Sequence, residues 1–233
     1  MSDLDPILNL ESTRYRWPGR AGFELSIPTL SLAPSETVLL LGESGSGKST
    51  LLSLICGTIL ADEGRVSVAG CDIARLSAGK RDGFRAEQIG LIFQQFNLLP
   101  FASVEDNILL PLQFAPKRRS RVLDTKAEAK RLCQDLELPS DIMTMRAGTL
   151  SVGQQQRVAA ARALIGAPPL IIADEPTSAL DAETQARFLD LLFAQSRAHG
   201  TTLLMVSHDA RLSRQFDRVL QMHDIAKTHR PMT

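Results

Sequence analysis

The sequence predicts an α/β fold with a mostly parallel core sheet, an N-terminal antiparallel β layer and an inserted helical subdomain. Short apolar runs rich in β-branched residues recur between helical patterns, and strands that alternate with helices are typical of an α/β sheet. A stretch rich in helix formers interrupts this alternation. The predicted strands of the core are residues 38–41, 65–68, 89–93, 170–173, 202–206 and 218–222.

The β layer is predicted from residues 6–32, which alternate polar and apolar side chains around a Pro18-Gly19 turn signal. Residues 104–164 are rich in helix formers, with helices predicted at 125–138 and 151–164, and a further helix is predicted to follow Asp181. No regular element is expected in the last twelve residues. The sequence thus predicts one domain over residues 1–233, whose core comprises 1–95 and 160–233 and whose helical subdomain spans approximately 96–159.

Composition excludes several functional classes. With 26 basic and 26 acidic side chains the formal net charge is zero, so no overall positive field favours nucleic-acid binding. No apolar run approaches the roughly 20 residues that a membrane-spanning helix needs, and the N-terminus lacks the pattern of a secretory signal, so we expect a cytoplasmic protein. Three scattered cysteines lack the spacing of a zinc site or redox pair. The dense charge run at 117–121 is predicted to be a solvated loop.

A glycine-rich segment at residues 42–50 lies between a predicted strand and a helix predicted at 50–56, the context that a phosphate-binding loop requires. Glycine permits backbone conformations in which successive N–H groups point at phosphate oxygens, helped by the positive end of the helix dipole. Lys48 would add a charge at the β- and γ-phosphates, and Ser49 a hydroxyl ligand to Mg²⁺. The candidate binding residues are Gly42, Ser44, Gly45, Ser46, Gly47, Lys48, Ser49 and Thr50.

Two acids end the apolar run at residues 170–173. Because the carboxyl ends of parallel strands form the ligand-binding edge of such sheets, Asp174 and Glu175 are expected beside the bound phosphates. We expect Asp174 to hold the Mg²⁺ shell and Glu175 to polarise the attacking water. The sequence therefore predicts a site that hydrolyses a Mg²⁺-bound nucleotide.

Residues 150–157, Leu-Ser-Val-Gly-Gln-Gln-Gln-Arg, resemble the LSGGQ signature of the ATP-binding cassette (ABC) transporter family. The resemblance covers nearly the whole chain and implies a P-loop NTPase that dimerises around two ATP molecules. It also implies that Ser151, Gly153 and Gln154 clamp the γ-phosphate held by the other subunit's phosphate loop. Val152 stands where the family has a glycine-type residue, a departure expected to reshape this clamp.

Other family motifs occur in the same order as in the relatives. Gln94 resembles the glutamine that senses Mg²⁺ and γ-phosphate, and His208, after a predicted strand, resembles the switch histidine. The segment 178–181 resembles the D-loop, which implies a nucleotide contact for Asp181. Tyr15 resembles the aromatic that stacks on adenine, and Trp17 is a rival for that role. The resemblance thus makes Glu175, His208 and Gln94 catalytic candidates, and Ser49, Gln94 and Asp174 metal candidates.

Residues 93–100 and 103–111 resemble the subgroup that works with FtsX-like permeases in lipoprotein release and macrolide-type export. This implies an ATPase motor with two partners, a second copy and an integral membrane permease, on the cytoplasmic face of the membrane. No nucleic-acid partner is expected. Two alternatives stay open: a soluble, non-transport ABC ATPase and an unrelated P-loop kinase or GTPase. The apolar residues at 96–101 need a cover, either the protein's own helical lobe or a short permease helix.

Overall fold

The computed structural model describes residues 5–18, 23–178 and 180–229. Two compact units divide the chain: one comprises Met1–Arg85 and Leu204–Thr233, and the other comprises Ala86–Leu203. The strands are β1 (Leu8–Arg16), β2 (Glu24–Leu32), β3 (Thr37–Leu41), β4 (Glu63–Val68), β5 (Cys71–Asp72), β6 (Ile89–Ile92), β7 (Leu170–Asp174), β8 (Thr202–Ser207), β9 (Arg218–Gln221) and β10 (Lys227–His229). The α-helices are α1 (Lys48–Ile55), α2 (Ala78–Gln88), α3 (Val104–Leu109), α4 (Pro116–Ser120), α5 (Thr125–Asp135), α6 (Val152–Leu164), α7 (Ala182–Ala198) and α8 (Met222–Ile225).

The first unit contains the predicted antiparallel layer. Within the described residues its strand order is β10-β2-β1-β4-β5. Two predictions are corrected here. The run at 65–68 was expected in the parallel core, but it pairs antiparallel with β1 as part of β4. The last twelve residues were expected to be irregular, yet they contribute α8 and β10, because β2 offers an edge with which β10 pairs. The predicted turn at Pro18-Gly19 falls partly outside the described residues.

A bulge in β1 decides which of its side chains are buried. Pairing with β4 shifts register between Glu11 and Arg14, and Ser12 adopts the left-handed conformation with φ 45°. Gly64 lies opposite, where a Cβ would come within 2.2 Å of the Ser12 carbonyl oxygen. Leu8 and Leu10 are buried before the bulge, and Tyr15 is buried after it.

Parallel pairing supplies the core strands of both units and confirms the predicted α/β class. In the first unit β3 pairs in parallel with β9, and all five residues of β3 are buried. In the second unit β6 pairs in parallel with β7. The chain passes from the second unit to the first within β8, every residue of which is buried. The predicted parallel strands other than the 65–68 run all form.

Helices α3 to α7 lie in the second unit, and α6 buries an alanine-rich face that includes Ala159 and Ala163. The predicted bounds of the helical subdomain, 96 and 159, stay a prediction. The compact unit that contains these helices is wider and spans residues 86–203. Among the described residues no helix is long and apolar enough to cross a membrane.

The prediction of a solvated loop at 117–121 is wrong for Arg118. This residue lies on α4 and is only 1% exposed. Its guanidinium donates to the carbonyl oxygens of Ala86 (3.2 Å), Ala163 (2.7 Å) and Ile165 (2.5 Å). These carbonyls lie at or just beyond the C-terminal ends of α2 and α6, where helical carbonyls have no intrahelical partner. Burial is the main cause that lowers the pKa of Arg118, to about 10, and the side chain stays charged at neutral pH.

Candidate nucleotide site

The phosphate loop is built around the turn that starts α1. Gly47 is the residue before the helix and has φ 102°, a conformation open to glycine at little cost. A Cβ at this position would lie 2.9 Å from Leu25 Cδ1, so a side chain there would have to displace the end of Leu25 in the β layer. Gly42 is similarly confined, because its Cβ would lie 2.8 Å from both the Met222 Cβ and the Ser46 Oγ. Backbone torsion therefore favours glycine at 47, and lack of space favours glycine at 42.

Lys48 folds back over its own loop. Its ammonium donates to the carbonyl oxygen of Glu43 at 2.9 Å and to that of Gly42. Ser44, Gly45 and Ser49 are exposed. Ser46 Oγ is a buried atom with no hydrogen-bond partner among the described residues, which is a position suited to a phosphate oxygen. The loop thus presents a cation, exposed hydroxyls and an unpaired buried hydroxyl, a donor set that fits a Mg²⁺-nucleotide.

The two aromatic candidates occupy different environments. Tyr15 is 8% exposed and its ring meets the edge of Trp17, with centroids 5.4 Å apart and an interplanar angle of 87°. Trp17 is half-buried, and its indole N–H donates to the hydroxyl of Thr50 at 3.0 Å. This bond ties the end of β1 to the helix that follows the phosphate loop.

His208 is the third candidate of the first unit. It is exposed and directly follows the buried strand β8. Its neighbour Asp209 accepts from the Arg211 side chain, and this hydrogen bond is the main cause that lowers the pKa of Asp209. The exposed imidazole of His208 thus follows a buried strand, and the next residue is a carboxylate that stays ionised.

The predicted acids lie where β7 ends. Four buried residues lead to Asp174 and Glu175, both partly exposed. Glu175 has φ 46°, the left-handed conformation that is uncommon for residues other than glycine. The buried side chain of Gln156, on α6, donates to the carbonyl oxygen of Pro176 at 2.9 Å. A contact from the signature helix therefore holds the backbone next to Glu175.

The signature segment starts α6 with a capping box. The Ser151 hydroxyl accepts from the backbone N–H of Gln154 at 3.3 Å, and the Gln154 side chain accepts from the Ser151 N–H at 3.0 Å. Ser151 is exposed and Val152 is 50% exposed. A Cβ on Gly153 would meet nothing within 4 Å, so this glycine faces open space. The capped end of α6 is available to another molecule.

Asp181 caps the next helix, α7. It accepts from the Thr184 backbone N–H at 2.9 Å and from the Thr184 hydroxyl at 2.8 Å. The backbone hydrogen bond is the largest cause that lowers the pKa of Asp181, so the cap stays ionised. Ala179, within the predicted D-loop, lies outside the described residues.

Gln94 follows β6 and is exposed. The chain after it makes a tight turn at Phe96 and Asn97, which have φ 58° and 48°. Arg162 of α6 donates to both of their carbonyl oxygens, at 2.5 Å and 2.7 Å. Sequence reasoning missed Arg162 and Gln156, because their partners are backbone carbonyls that no side-chain motif identifies.

The structure describes the candidates in two groups. The first unit holds the phosphate loop, both aromatics and His208, whereas the second holds Gln94, the signature, both acids and Asp181. Within the described residues no group of three or more His, Cys, Asp or Glu side chains could hold a metal ion.

The family model described as "ABC transporter" matches residues 25–178. The macrolide export ATP-binding/permease protein MacB of Rhodopirellula baltica is 40% identical over 196 residues, which are 84% of this chain and 28% of that protein. The lipoprotein-releasing system ATP-binding protein LolD of Porphyromonas gingivalis is 37% identical over 195 residues, which are 84% of this chain and 87% of that protein.

Solved structures agree with the family match. The dimeric post-hydrolysis state of the ATP-binding cassette MJ0796, bound to ADP and Pi, has a TM-score of 0.73 and 32% sequence identity. The match covers 92% of this chain and 93% of that chain. The matched segment runs from the β layer through the phosphate loop, the signature and the acids after β7. This chain therefore belongs to the ABC transporter family and is an ATP-binding, ATP-hydrolysing cassette of the ABC transport type.

Proposed function

We propose that this chain is the motor subunit of an ABC transporter in which two copies close around two Mg²⁺-ATP and drive an FtsX-like permease. The transport process that it powers is cell-envelope export or lipoprotein release. Likeness to MacB and LolD supports the subgroup. MacB is named for both ATP binding and permease function, and this chain matches 28% of its length. The subunit then lies at the cytoplasmic face of the membrane through its permease.

In this proposal the phosphate loop holds the β- and γ-phosphates through backbone N–H groups and Lys48. Ser49, Asp174 and Gln94 are the metal candidates, and bound Mg²⁺ would neutralise charge on the same phosphate oxygens. Glu175 accepts a proton from the attacking water, and His208 contacts the γ-phosphate. The indole of Trp17 supports the adenine, because Trp17 is half-buried whereas Tyr15, which meets Trp17 edge to face, is buried.

Dimerisation follows from the exposed start of α6. Ser151 and Gly153 lie at a helix N-terminus that no described side chain covers, and Val152 adds an exposed apolar group beside them. The related cassette MJ0796 was solved as a dimer. We infer that Ser151 of each copy contacts the γ-phosphate on the other copy, with Asp181 near the same interface.

ATPase activity per subunit is therefore expected to rise with protein concentration in the absence of a permease. The physical reason is mass action, because each hydrolysis site is completed only when a second copy contributes its signature segment. Activity measured across the range in which light scattering follows monomer to dimer tests this. A specific activity that stays constant in samples containing only monomer would contradict the proposal. ADP should not support the dimer, since it lacks the phosphate that joins the two copies.

The observation that supports the permease assignment is a group of exposed apolar side chains, three of which flank Gln94 in sequence and one of which lies beside the start of α3. We call it the docking patch and define it as Phe93, Leu99, Phe101 and Met145. Phe101 is 74% exposed, and the other three are 37–38% exposed. Its backbone is already fixed, since buried Asn107 bonds to both the N–H and the carbonyl oxygen of Leu99. A preformed apolar patch next to a nucleotide-sensing loop suits a short amphipathic helix of a membrane partner.

Replacing Leu99 and Phe101 together by Ser tests this assignment. We expect basal ATPase of the isolated subunit to stay within about twofold, because neither side chain contacts nucleotide in the proposal, whereas co-purification with the permease should be lost. Phe114→Ser is the matched control, since Phe114 is 63% exposed but lies outside the patch. If the double variant still binds the permease normally, the docking patch has another role.

The soluble ABC ATPase remains the alternative function. It predicts that no FtsX-like protein is encoded beside this chain and that ATPase activity is independent of any membrane fraction. Reconstitution with the neighbouring permease in liposomes distinguishes the two functions, because only the transporter subunit should change its turnover on reconstitution.

A further inference from the structure

The turn after Gln94 has an unfavourable backbone. Phe96 and Asn97 are consecutive residues other than glycine, and both adopt the left-handed conformation, with φ 58° and 48°. Asparagine tolerates this conformation, but at Phe96 it costs free energy and persists only where the surroundings impose it. Something in the second unit must therefore hold this turn.

Arg162 supplies that hold. Its side chain is 8% exposed, and its guanidinium donates to the Phe96 carbonyl oxygen at 2.5 Å and the Asn97 carbonyl oxygen at 2.7 Å. Burial lowers the pKa of Arg162, so the charge is held at a desolvation cost that the two carbonyl bonds offset. The planar guanidinium reaches both carbonyls at once, which a single ammonium group does less well.

Arg162 also connects two nucleotide-sensing segments. It lies on α6, the same continuous helix that begins just after Ser151, and ten residues of helical rise place it about 15 Å from Val152. The helix end is itself fixed, because Arg118 donates to the carbonyl oxygens of Ala163 and Ile165. Helix α6 therefore forms a rigid connection between the signature serine and the turn that follows Gln94.

We infer that Arg162 is a positioning residue that fixes the turn after Gln94 to the signature helix, so that Gln94 and Ser151 respond to the γ-phosphate as one piece. This inference rests on the proposed function, since it takes both residues as nucleotide contacts. Arg162 itself touches no nucleotide. Its effect on hydrolysis passes through the backbone of residues 96 and 97.

A double-mutant cycle between Arg162 and Gln94 tests the inference on the full-length chain. We expect Arg162→Lys to lower kcat about tenfold while the KM for ATP changes less than twofold, because the lysine keeps the charge but loses the paired geometry. In the Gln94→Ala background the same change should alter kcat less than twofold. A merely structural role would instead give effects that multiply, as for independent sites.

A second variant perturbs the same turn from its exposed side. Asn97→Val places a β-branched residue at φ 48° while leaving Arg162 itself unchanged, and its effect on kcat should likewise not add to that of Gln94→Ala. Ala167→Val is the matched control, since Ala167 has φ 47° in the same unit but its backbone bonds to Leu164 and Arg121, outside the Gln94 turn. It should lower the melting temperature comparably and leave kcat within twofold.

The outcomes separate the inference from the proposed function. Suppose that Gln94→Ala lowers kcat and that the effect of Arg162→Lys or Asn97→Val on kcat multiplies with the effect of Gln94→Ala. The positioning role is then wrong and the proposed function stands. If Gln94→Ala leaves kcat unchanged, both the role of Gln94 and the inference fail. If Arg162→Lys does not fold, the Asn97→Val cycle alone decides in the same way.

Discussion

Glu175→Gln is expected to retain ATP binding and to slow ATP turnover by roughly 10² or more. The amide has nearly the shape of the carboxylate and adopts the same backbone, but it cannot take a proton from the attacking water. Binding persists because, in the proposed roles, Lys48 and the loop N–H groups hold the phosphates. The variant should therefore accumulate as an ATP-bound dimer, detectable by size-exclusion chromatography with ATP but not with ADP.

The control for this experiment is Glu183→Gln. Glu183 lies in the first turn of α7 and is exposed, so the same chemical change occurs close by in sequence but outside the proposed chemistry. It should leave turnover within about twofold. Near-normal turnover of Glu175→Gln would remove Glu175 from the role of general base, whatever its effect on binding.

Arg118→Met is expected to lower the free energy of unfolding by about 3–5 kcal/mol. The change keeps an apolar stem of similar length but leaves the carbonyl oxygens of Ala86, Ala163 and Ile165 without their donor, and each stranded buried acceptor costs about 1–3 kcal/mol. The loss is measured from the shift of the urea midpoint at constant slope.

Arg121→Met is the matched control for Arg118. It removes the same charge from the same run, but Arg121 is exposed and its guanidinium donates to the Ala167 carbonyl oxygen at 3.0 Å. Its effect should be within about 0.5 kcal/mol. Equal stability of the two variants would show that the buried guanidinium contributes nothing beyond a solvated one.

Motifs with local chemistry were predictable from sequence. The phosphate loop, the acids after β7 and the capped start of α6 each depend on residues close together in the chain, so a short window identifies them. The β-branched runs likewise predicted the parallel strands, because burial on both faces leaves a continuous apolar pattern.

Features that depend on distant backbone were not predictable. Arg118 lies in a charge run typical of solvated loops, and its burial depends on carbonyls 32 and 45 to 47 positions away. Tyr15 falls on the buried face only because a bulge shifts the alternation of β1 after Ser12. The run at 65–68 has the composition of a core strand, and its pairing with β1 is a matter of topology, which composition does not encode.

The bond between Trp17 and Thr50 and the contact of Leu25 with the Gly47 turn place the base-binding and phosphate-binding candidates on one unit. Adenine, ribose and the α- and β-phosphates are common to ATP and ADP. On the proposed assignment, the contacts of this unit with adenine and with the α- and β-phosphates bind ATP and ADP with similar strength. Preference for ATP, and with it the direction of the catalytic cycle, must then come from the γ-phosphate contacts alone, which the proposal gives to Lys48 and His208 of this unit, to Gln94 and to the partner copy's signature segment.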